Sequence, residues 1–205
     1  MRYFLLSSLL VLRISCTSQY QGLQKGEGKI ETLQKFQPDF TVALYKTEVN
    51  VIGKYLSGLL IFKKMPASSI RIVFSSEMGL TFFDFAFKKD GEFQVFSILP
   101  QMNKKAVIKT LRNDFRLILM QHLDSNNLSV KKLDSNIYYG FKNSKGNDYY
   151  ITDSTGNELL GIEKASNRKA IVKVIMKNYI NNIPDTIGIS HTTFNFTIGL
   201  KRIQK

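Results

Sequence analysis

The chain has 205 residues, 43% of them apolar and 22% charged, with a formal net charge of +13 and a single cysteine. One cysteine excludes an internal disulfide and leaves a thiolate metal site without ligands; the length suits one domain with a sizeable core. Beyond the first residues no apolar run approaches the roughly 20 residues that a membrane-spanning helix needs.

The chain opens MRYFLLSSLLVLRISCTSQ. Arg2 gives a positive start, and Tyr3 to Leu12 is apolar apart from Ser7 and Ser8. That run is too short to span a bilayer and has the length of a signal-peptide core. The stretch Leu12-Arg13-Ile14-Ser15-Cys16 resembles a bacterial lipoprotein signal, although Arg13 stands where such signals usually carry Leu. The resemblance implies cleavage before Cys16 and acylation of its thiol, so residues 1–15 read as a signal peptide. The alternative is a plain secretory peptide with an incidental cysteine. Two or more acyl chains anchor a protein stably where one does not. Residues 16–37, which include the polar TSQYQGLQKGEGK, read as a lipidated N-terminus and tether. Thr17 and Ser18 are not acidic. By the same resemblance, the address is the periplasmic face of the outer membrane.

Without Arg2 and Arg13 the net charge is +11. A basic surface attracts nucleic acid, anionic lipid or an acidic protein. A secretory signal argues against nucleic acid, and the lysines are spread along the chain. A solvated basic surface with no dedicated partner stays open.

From residue 38 the chain reads as one domain to 205. FTVALYKTEVNV (40–51) alternates, Gly53 allows a turn, and KYLSGLLIFKKM (54–65) follows until Pro66 ends it. SIRIVFSS (69–76), LTFFDFAFKK (80–89) and EFQVFSIL (92–99) complete five antiparallel strands, with Lys89-Asp90-Gly91 as a tight turn. Pro100 stops the sheet. In MNKKAVIKTLRNDFRLILMQH (102–122) the period changes. Ile108, Leu111, Phe115, Ile118 and His122 share one helix face, and Asn103 is the expected N-cap. DSNN (124–127) ends the helix. Strands resume at 136–143, 148–154, 157–165, 169–180 and 186–203. The expectation is a mainly β, α+β domain of about ten antiparallel strands interrupted by one helix.

LTFFDFAF is apolar on both faces, whereas an antiparallel sheet with one wet face alternates cleanly. A curved sheet wrapped round an amphipathic helix or round an apolar cavity explains this, and a filled core without a cavity explains it equally. Asp84 has no second carboxylate beside it for acid–base work and is expected in a hydrogen-bonded or edge position.

No motif assigns a reaction. G-x-S-x-G, the P-loop, H-E-x-x-H and C-x-x-C are all missing from the sequence. His122 and His191 are far apart and read as structural. The expectation is a protein that is not an enzyme and needs no metal or cofactor.

A lipoprotein signal followed by five strands and then a helix resembles the LolA/LolB superfamily of lipoprotein carriers and receptors. Those proteins have an incomplete antiparallel β-barrel whose apolar cavity, covered by helices, holds acyl chains in transit. The lipoprotein signal places the resemblance nearer the outer-membrane receptor, LolB. The local match is SSEMGLTFFDF (75–85). In the family the loop between the third and fourth strands exposes a bulky apolar residue, often Leu before Gly, that helps to insert lipoproteins into the membrane. Met78, Gly79 and Leu80 stand at that position here. A Met folded back into the core is the other reading. KYLSGLLIFKK also looks like the family's second strand, with Gly58-Leu59-Leu60 in its G-x-L pattern. The resemblance implies an acyl-chain cavity, for which Phe74, Phe83, Phe85 and Phe96 are the candidate lining. The implied partners are acylated lipoproteins, a periplasmic carrier and the inner leaflet of the outer membrane. The alternative function is an envelope lipoprotein that binds a lipid or glycolipid without sorting lipoproteins.

Overall fold

The computed structural model describes residues 18–121 and 123–203. Cys16, the signal segment and His122 lie outside the described residues.

Among the described residues are thirteen strands in one unclosed antiparallel sheet. They are β1 (Gln24–Lys25), β2 (Val42–Val51), β3 (Lys54–Lys64), β4 (Ile70–Ser75), β5 (Thr81–Phe87) and β6 (Phe93–Ile98) before the main helix. After it come β7 (Leu128–Leu133), β8 (Asn136–Asn143), β9 (Gly146–Asp153), β10 (Leu159–Ser166), β11 (Ala170–Ile180), β12 (Ile183–His191) and β13 (Phe196–Arg202). A one-turn helix, α1 (Glu31–Gln34), precedes β2, and α2 (Lys105–Leu119) follows β6. The spatial order is β1-β7-β8-β9-β10-β11-β12-β13-β2-β3-β4-β5-β6, so β13 returns to β2 and the edges are β1 and β6.

The alternation in the sequence sets the faces. In β2, Ala43, Tyr45, Thr47 and Val49 are buried; the register places Tyr45 opposite Leu60 and Ala43 opposite Phe62. Side chains opposite one another on a sheet face are about 5 Å apart, so these pairs pack directly. In β11 the buried set is Ala170, Val172, Val174 and Met176, again every second residue. Thus one face of the sheet is mainly apolar, and α2 lies on it. At 15 residues, α2 is roughly 22 Å long. Leu111, Phe115 and Ile118 face the sheet as the spacing requires, joined by Asp114, Leu117 and Leu119.

Several sequence expectations change. There are thirteen strands rather than about ten. LSVKKL (128–133) is β7, although it follows a polar loop directly and has weak alternation. The run 186–203 is split between two strands, β12 and β13, by bends over residues 192–195, where Thr192 is bonded back to β11 through its hydroxyl and Ala170 O at 2.7 Å. The N-cap of α2 is Lys104 in an extended conformation, not Asn103, and no side chain caps the helix there. Finally, the two-faced β5 does not need a layer on both sides. Ser75 pairs with Thr81 and Phe74 with Phe83, which leaves Phe82 as a bulge residue. The bulge turns Phe82 towards Phe74, with ring centroids 4.7 Å apart.

Of the stretch read as a tether, Ser18 to Gly26 lies against the sheet. Gln19 N donates to Arg168 O at 2.8 Å, β1 pairs with β7, and Gly26 N donates to Val130 O at 3.1 Å. Tyr20 packs on Tyr149, with centroids 4.9 Å apart, and donates to Glu163 Oε2 at 2.7 Å. The phenol is held well above its ordinary pKa by burial and by that carboxylate.

Candidate functional site

Three of the four candidate lining residues come together. Phe74, Phe83 and Phe85 are buried on the concave face. They belong to a continuous row of rings. Phe40 stacks on Phe62 at 4.1 Å, Phe62 meets Phe115 of α2 at 6.1 Å, and Phe115 meets Phe83 at 5.7 Å. Phe83 stacks on Phe85 at 4.5 Å, and Phe85 meets Phe93 at 5.1 Å. Each such pair adds about 0.5–1.5 kcal/mol beyond the area it buries. The space between sheet and helix is therefore filled by protein side chains here, and a guest on this face requires α2 to move aside.

Phe96 is not among them. In the β5–β6 ladder Asp84 pairs with Ser97 and Phe85 with Val95, so Phe96 is the extra residue of a bulge. It is 51% exposed. It carries the Arg71 guanidinium over its ring at 4.5 Å. Arg71 in turn grips Asp84 through two bonds of 2.8 and 2.6 Å. Asp84 thus occupies the hydrogen-bonded position expected of it, on the outer face.

The Met78 hairpin is well defined. Ser76 and Leu80 close it with a backbone bond of 2.8 Å, Gly79 N donates to Ser76 O at 3.0 Å, and Leu80 N donates to the Ser76 hydroxyl at 3.0 Å. Gly79 has φ +85°, the left-handed turn position where glycine is favoured. The loop's own bonds hold Met78 outward at 97% exposure, with Leu80 at 54%. The folded-back reading of Met78 is excluded. An exposed Met forgoes the roughly 2 kcal/mol that burial of such a side chain gives. Gly58 makes the neighbouring step possible: a Cβ there would lie 2.1 Å from the Ser75 carbonyl oxygen. The glycine of the G-x-L pattern is thus the point where β4 crosses β3 closely as it enters the hairpin.

A polar cluster sits at the other flank of α2. Asp114 and His191 are both buried, with Oδ2 and Nε2 2.9 Å apart. Asp114 Oδ1 has no hydrogen-bond partner among the described residues. Burial holds the Asp114 carboxyl above its ordinary pKa, against the opposing pull of His191 and Lys164. Burial likewise lowers Lys164, partly offset by Asp148. Arg116 of α2 reaches Asp148 at 3.7 Å. These contacts tie α2 to β9 and β12. Among the described residues no three of His, Cys, Asp and Glu gather as a metal site would require, and no helix is long and apolar enough to cross a membrane.

Two surface crevices lie away from the aromatic face. One of about 610 Å³ is bounded by Lys25–Gly28 and Leu128–Lys131. The other, about 330 Å³, lies beside Phe36, Leu159, Met176 and Tyr179.

Sequence reasoning missed a second exposed apolar tip. The turn Val51–Lys54 places Ile52 at φ 47° and Gly53 at φ 73°. This two-residue hairpin favours Asn-Gly, and a left-handed non-glycine residue costs roughly 1–2 kcal/mol. Ile52 is 75% exposed nonetheless. Its signal in the sequence was an Ile where a turn calls for Asn.

No family model matches the sequence, and no curated protein matches it. Among solved structures the chain is similar to a DUF1329 family protein from Desulfovibrio piger ATCC 29098. The identity is 10% over 84% of this chain and 88% of that chain, with a TM-score of 0.43. It is also similar to a Vibrio parahaemolyticus domain that carries the name outer membrane lipoprotein-sorting protein. There the identity is 7% over 85% of this chain and 90% of that chain, with a TM-score of 0.44. Likeness at this level transfers no function.

Proposed function

We propose that this protein is a lipid-anchored envelope receptor that takes acylated lipoproteins from a periplasmic carrier and releases them into the outer membrane. The observation that carries the reading is the Met78 hairpin: a self-bonded loop that holds a large apolar side chain in solvent at 97% exposure. Such a residue is stable only at a cost unless lipid or protein covers it. The loop leads directly into β5, whose Phe83 and Phe85 line the aromatic concave face. An apolar face beside an apolar probe is the arrangement that passing an acyl chain into a bilayer requires. Acyl burial supplies affinity without polar chemistry, at about 0.8 kcal/mol for each CH₂. Acylation of Cys16 would hold the receptor at its membrane. No residue in this scheme acts as an acid, base or nucleophile.

The test is titration with a triacylated lipopeptide and an unacylated control, for wild type and Met78→Glu. Acyl-dependent binding by both, with release into vesicles lost only in the variant, is the expected result. Absence of acyl-dependent binding sinks the proposal. Equal binding of free phospholipid, with no preference for the lipopeptide, moves the role to a lipid- or glycolipid-binding lipoprotein.

A further inference from the structure

In an antiparallel meander the connections alternate between the two ends of the sheet. One end collects the β2–β3 turn, the β4–β5 hairpin and the β8–β9, β10–β11 and β12–β13 connections. Four large apolar side chains stand out there: Ile52, Met78 and its neighbour Leu80, and Phe194, the last 41% exposed. Ile52 and the Phe194 loop are fastened together, since Ile52 N donates to Asn195 O at 3.0 Å. Phe194 is set by stacking on Phe196, with centroids 5.8 Å apart. A β-branched residue held in a left-handed turn and exposed to water is doubly unfavourable, and strain of that kind points to a contact that uses it.

Charge follows the same division. The hairpin connections at this end carry Lys145, Arg168 and Lys169, with Glu77 as their acid, and the two connections to α2 at the same end add Lys104 and Asp124. The hairpin connections at the opposite end carry Asp90, Glu92, Asp134 and Glu158, with Lys88 and Lys89, and the segment from β1 to β2, which enters β2 at that end, adds Glu27, Glu31 and Asp39 with Lys29 and Lys35.

The N-terminal segment ends here too. The Ser18 hydroxyl donates to Asn167 O at 2.9 Å, and Gln19 N donates to Arg168 O at 2.8 Å. Ala170 N donates back to the Gln19 side chain at 3.3 Å.

We propose that the molecule stands end-on against an anionic bilayer, with Ile52, Met78 and Phe194 in the headgroup region. In that pose Lys145, Arg168 and Lys169 lie over the anionic lipids, and Ser18 and Gln19 are fastened to the same end. The role of Cys16 rests on the acylation that its signal-like context implies; the surface itself does not. A lipid anchor joined to a basic patch is the two-signal combination that gives stable attachment.

The test uses the unacylated chain from Thr17, which keeps the whole sheet and core, in sedimentation with phosphatidylcholine vesicles with and without phosphatidylglycerol. Binding is expected only with phosphatidylglycerol and is expected to weaken with salt. Arg168→Gln and Lys169→Gln should each weaken it about fivefold. Ile52→Asn should weaken it about tenfold. Because Asn-Gly suits the turn, Ile52→Asn should also raise the melting temperature, which separates loss of contact from loss of fold. Val42→Asn, an exposed residue at the opposite end, should leave binding unchanged. Adsorption that does not depend on phosphatidylglycerol overturns the proposal. So does adsorption indifferent to Ile52→Asn, or weakened equally by Val42→Asn. Lipopeptide binding without vesicle adsorption overturns the docking pose alone; vesicle adsorption without lipopeptide binding overturns the receptor role alone.

Discussion

The sheet has two halves, β2–β6 and β7–β13, and they are stabilised differently. The first half is held chiefly from one side, by aromatic rings beneath α2; its outer face has the Arg71–Asp84 pair with Phe96 on top. The second half is covered on both faces in part. Tyr20 and Leu23 pack against Tyr149, Ile151 and Ala165 on the outside, while Asp114 and Arg116 of α2 engage His191 and Asp148 on the inside. Apolar packing has no preferred direction and re-forms around a guest; hydrogen bonds and ion pairs do not. The difference teaches that α2 is fixed to the second half by directional polar contacts and to the first by apolar rings, so the proposed admission of an acyl chain would part the aromatic flank first.

Phe115 is where that asymmetry breaks with the largest effect. Phe115→Ala removes the ring that joins α2 to Phe62 and Phe83 and should lower stability by about 3–5 kcal/mol, read from the denaturant midpoint. A loss below about 1 kcal/mol would mean that the aromatic flank is not what holds the helix. In the same variant lipopeptide should bind more tightly, because the vacated space lies on the concave face. Gly58→Ala comes next. Its Cβ would meet the Ser75 carbonyl, which is backbone and cannot rotate away, so a loss of about 1–3 kcal/mol is expected. Proteolysis at the Met78 hairpin should rise in parallel; unchanged stability and cleavage would refute the close crossing.

On the polar side, Tyr20→Phe deletes the bond to Glu163 and should cost about 1.5 kcal/mol. Faster exchange of the Gln19 amide with little change in the Phe62 amide would sharpen the contrast between halves. Uniform acceleration across the sheet would erase it. The smallest effect belongs to Asp114→Asn and concerns pH. Burial raises the Asp114 pKa above its ordinary 3.8, so the folded state keeps that proton to a higher pH than the unfolded chain does. The stabilisation this gives is complete below about pH 3.8 and is lost as pH rises through the raised value. His191 and Lys164, whose charges act on it, are retained in the variant, as are Asp148, Arg116 and Lys109, which act on Lys164. A thermal-melt series should therefore show a flatter pH dependence just above the ordinary carboxylate value for Asp114→Asn. An identical slope in both proteins would mean that Asp114 does not shape the acid response.

Much of the fold was legible because alternation is a local signal. β2 to β6 and the face of α2 from Leu111 to Ile118 follow from side-chain periods of two and 3.6. β7 was not legible, since LSVKKL carries its lysines on a strand that the edge pairing with β1 supports. Nor was the division of 186–203, where the bends fall on Thr-Thr-Phe-Asn (192–195) and neither Gly nor Pro marks them. At the candidate site, Met78 was visible as an apolar residue before a turn glycine, but its direction was not. Phe96 was visible as an aromatic in an apolar strand, yet a bulge in the β5–β6 ladder sent it to the face opposite Phe83. Ile52 and Phe194 were invisible as a pair because Asn50–Lys54 and Thr192–Asn195 are remote in sequence.

The sequence by itself determined the fold class: a mainly β chain with one long amphipathic helix. These are properties of local composition and period, and neighbouring residues suffice to set them. Only the tertiary structure decided which face of each strand is concave, that the aromatic row is closed by Phe115, and that Ser18 and the tips of Ile52, Met78 and Phe194 share one end. Such facts depend on register, bulges and the order of strands in the sheet, and these are set by contacts between residues far apart in the chain.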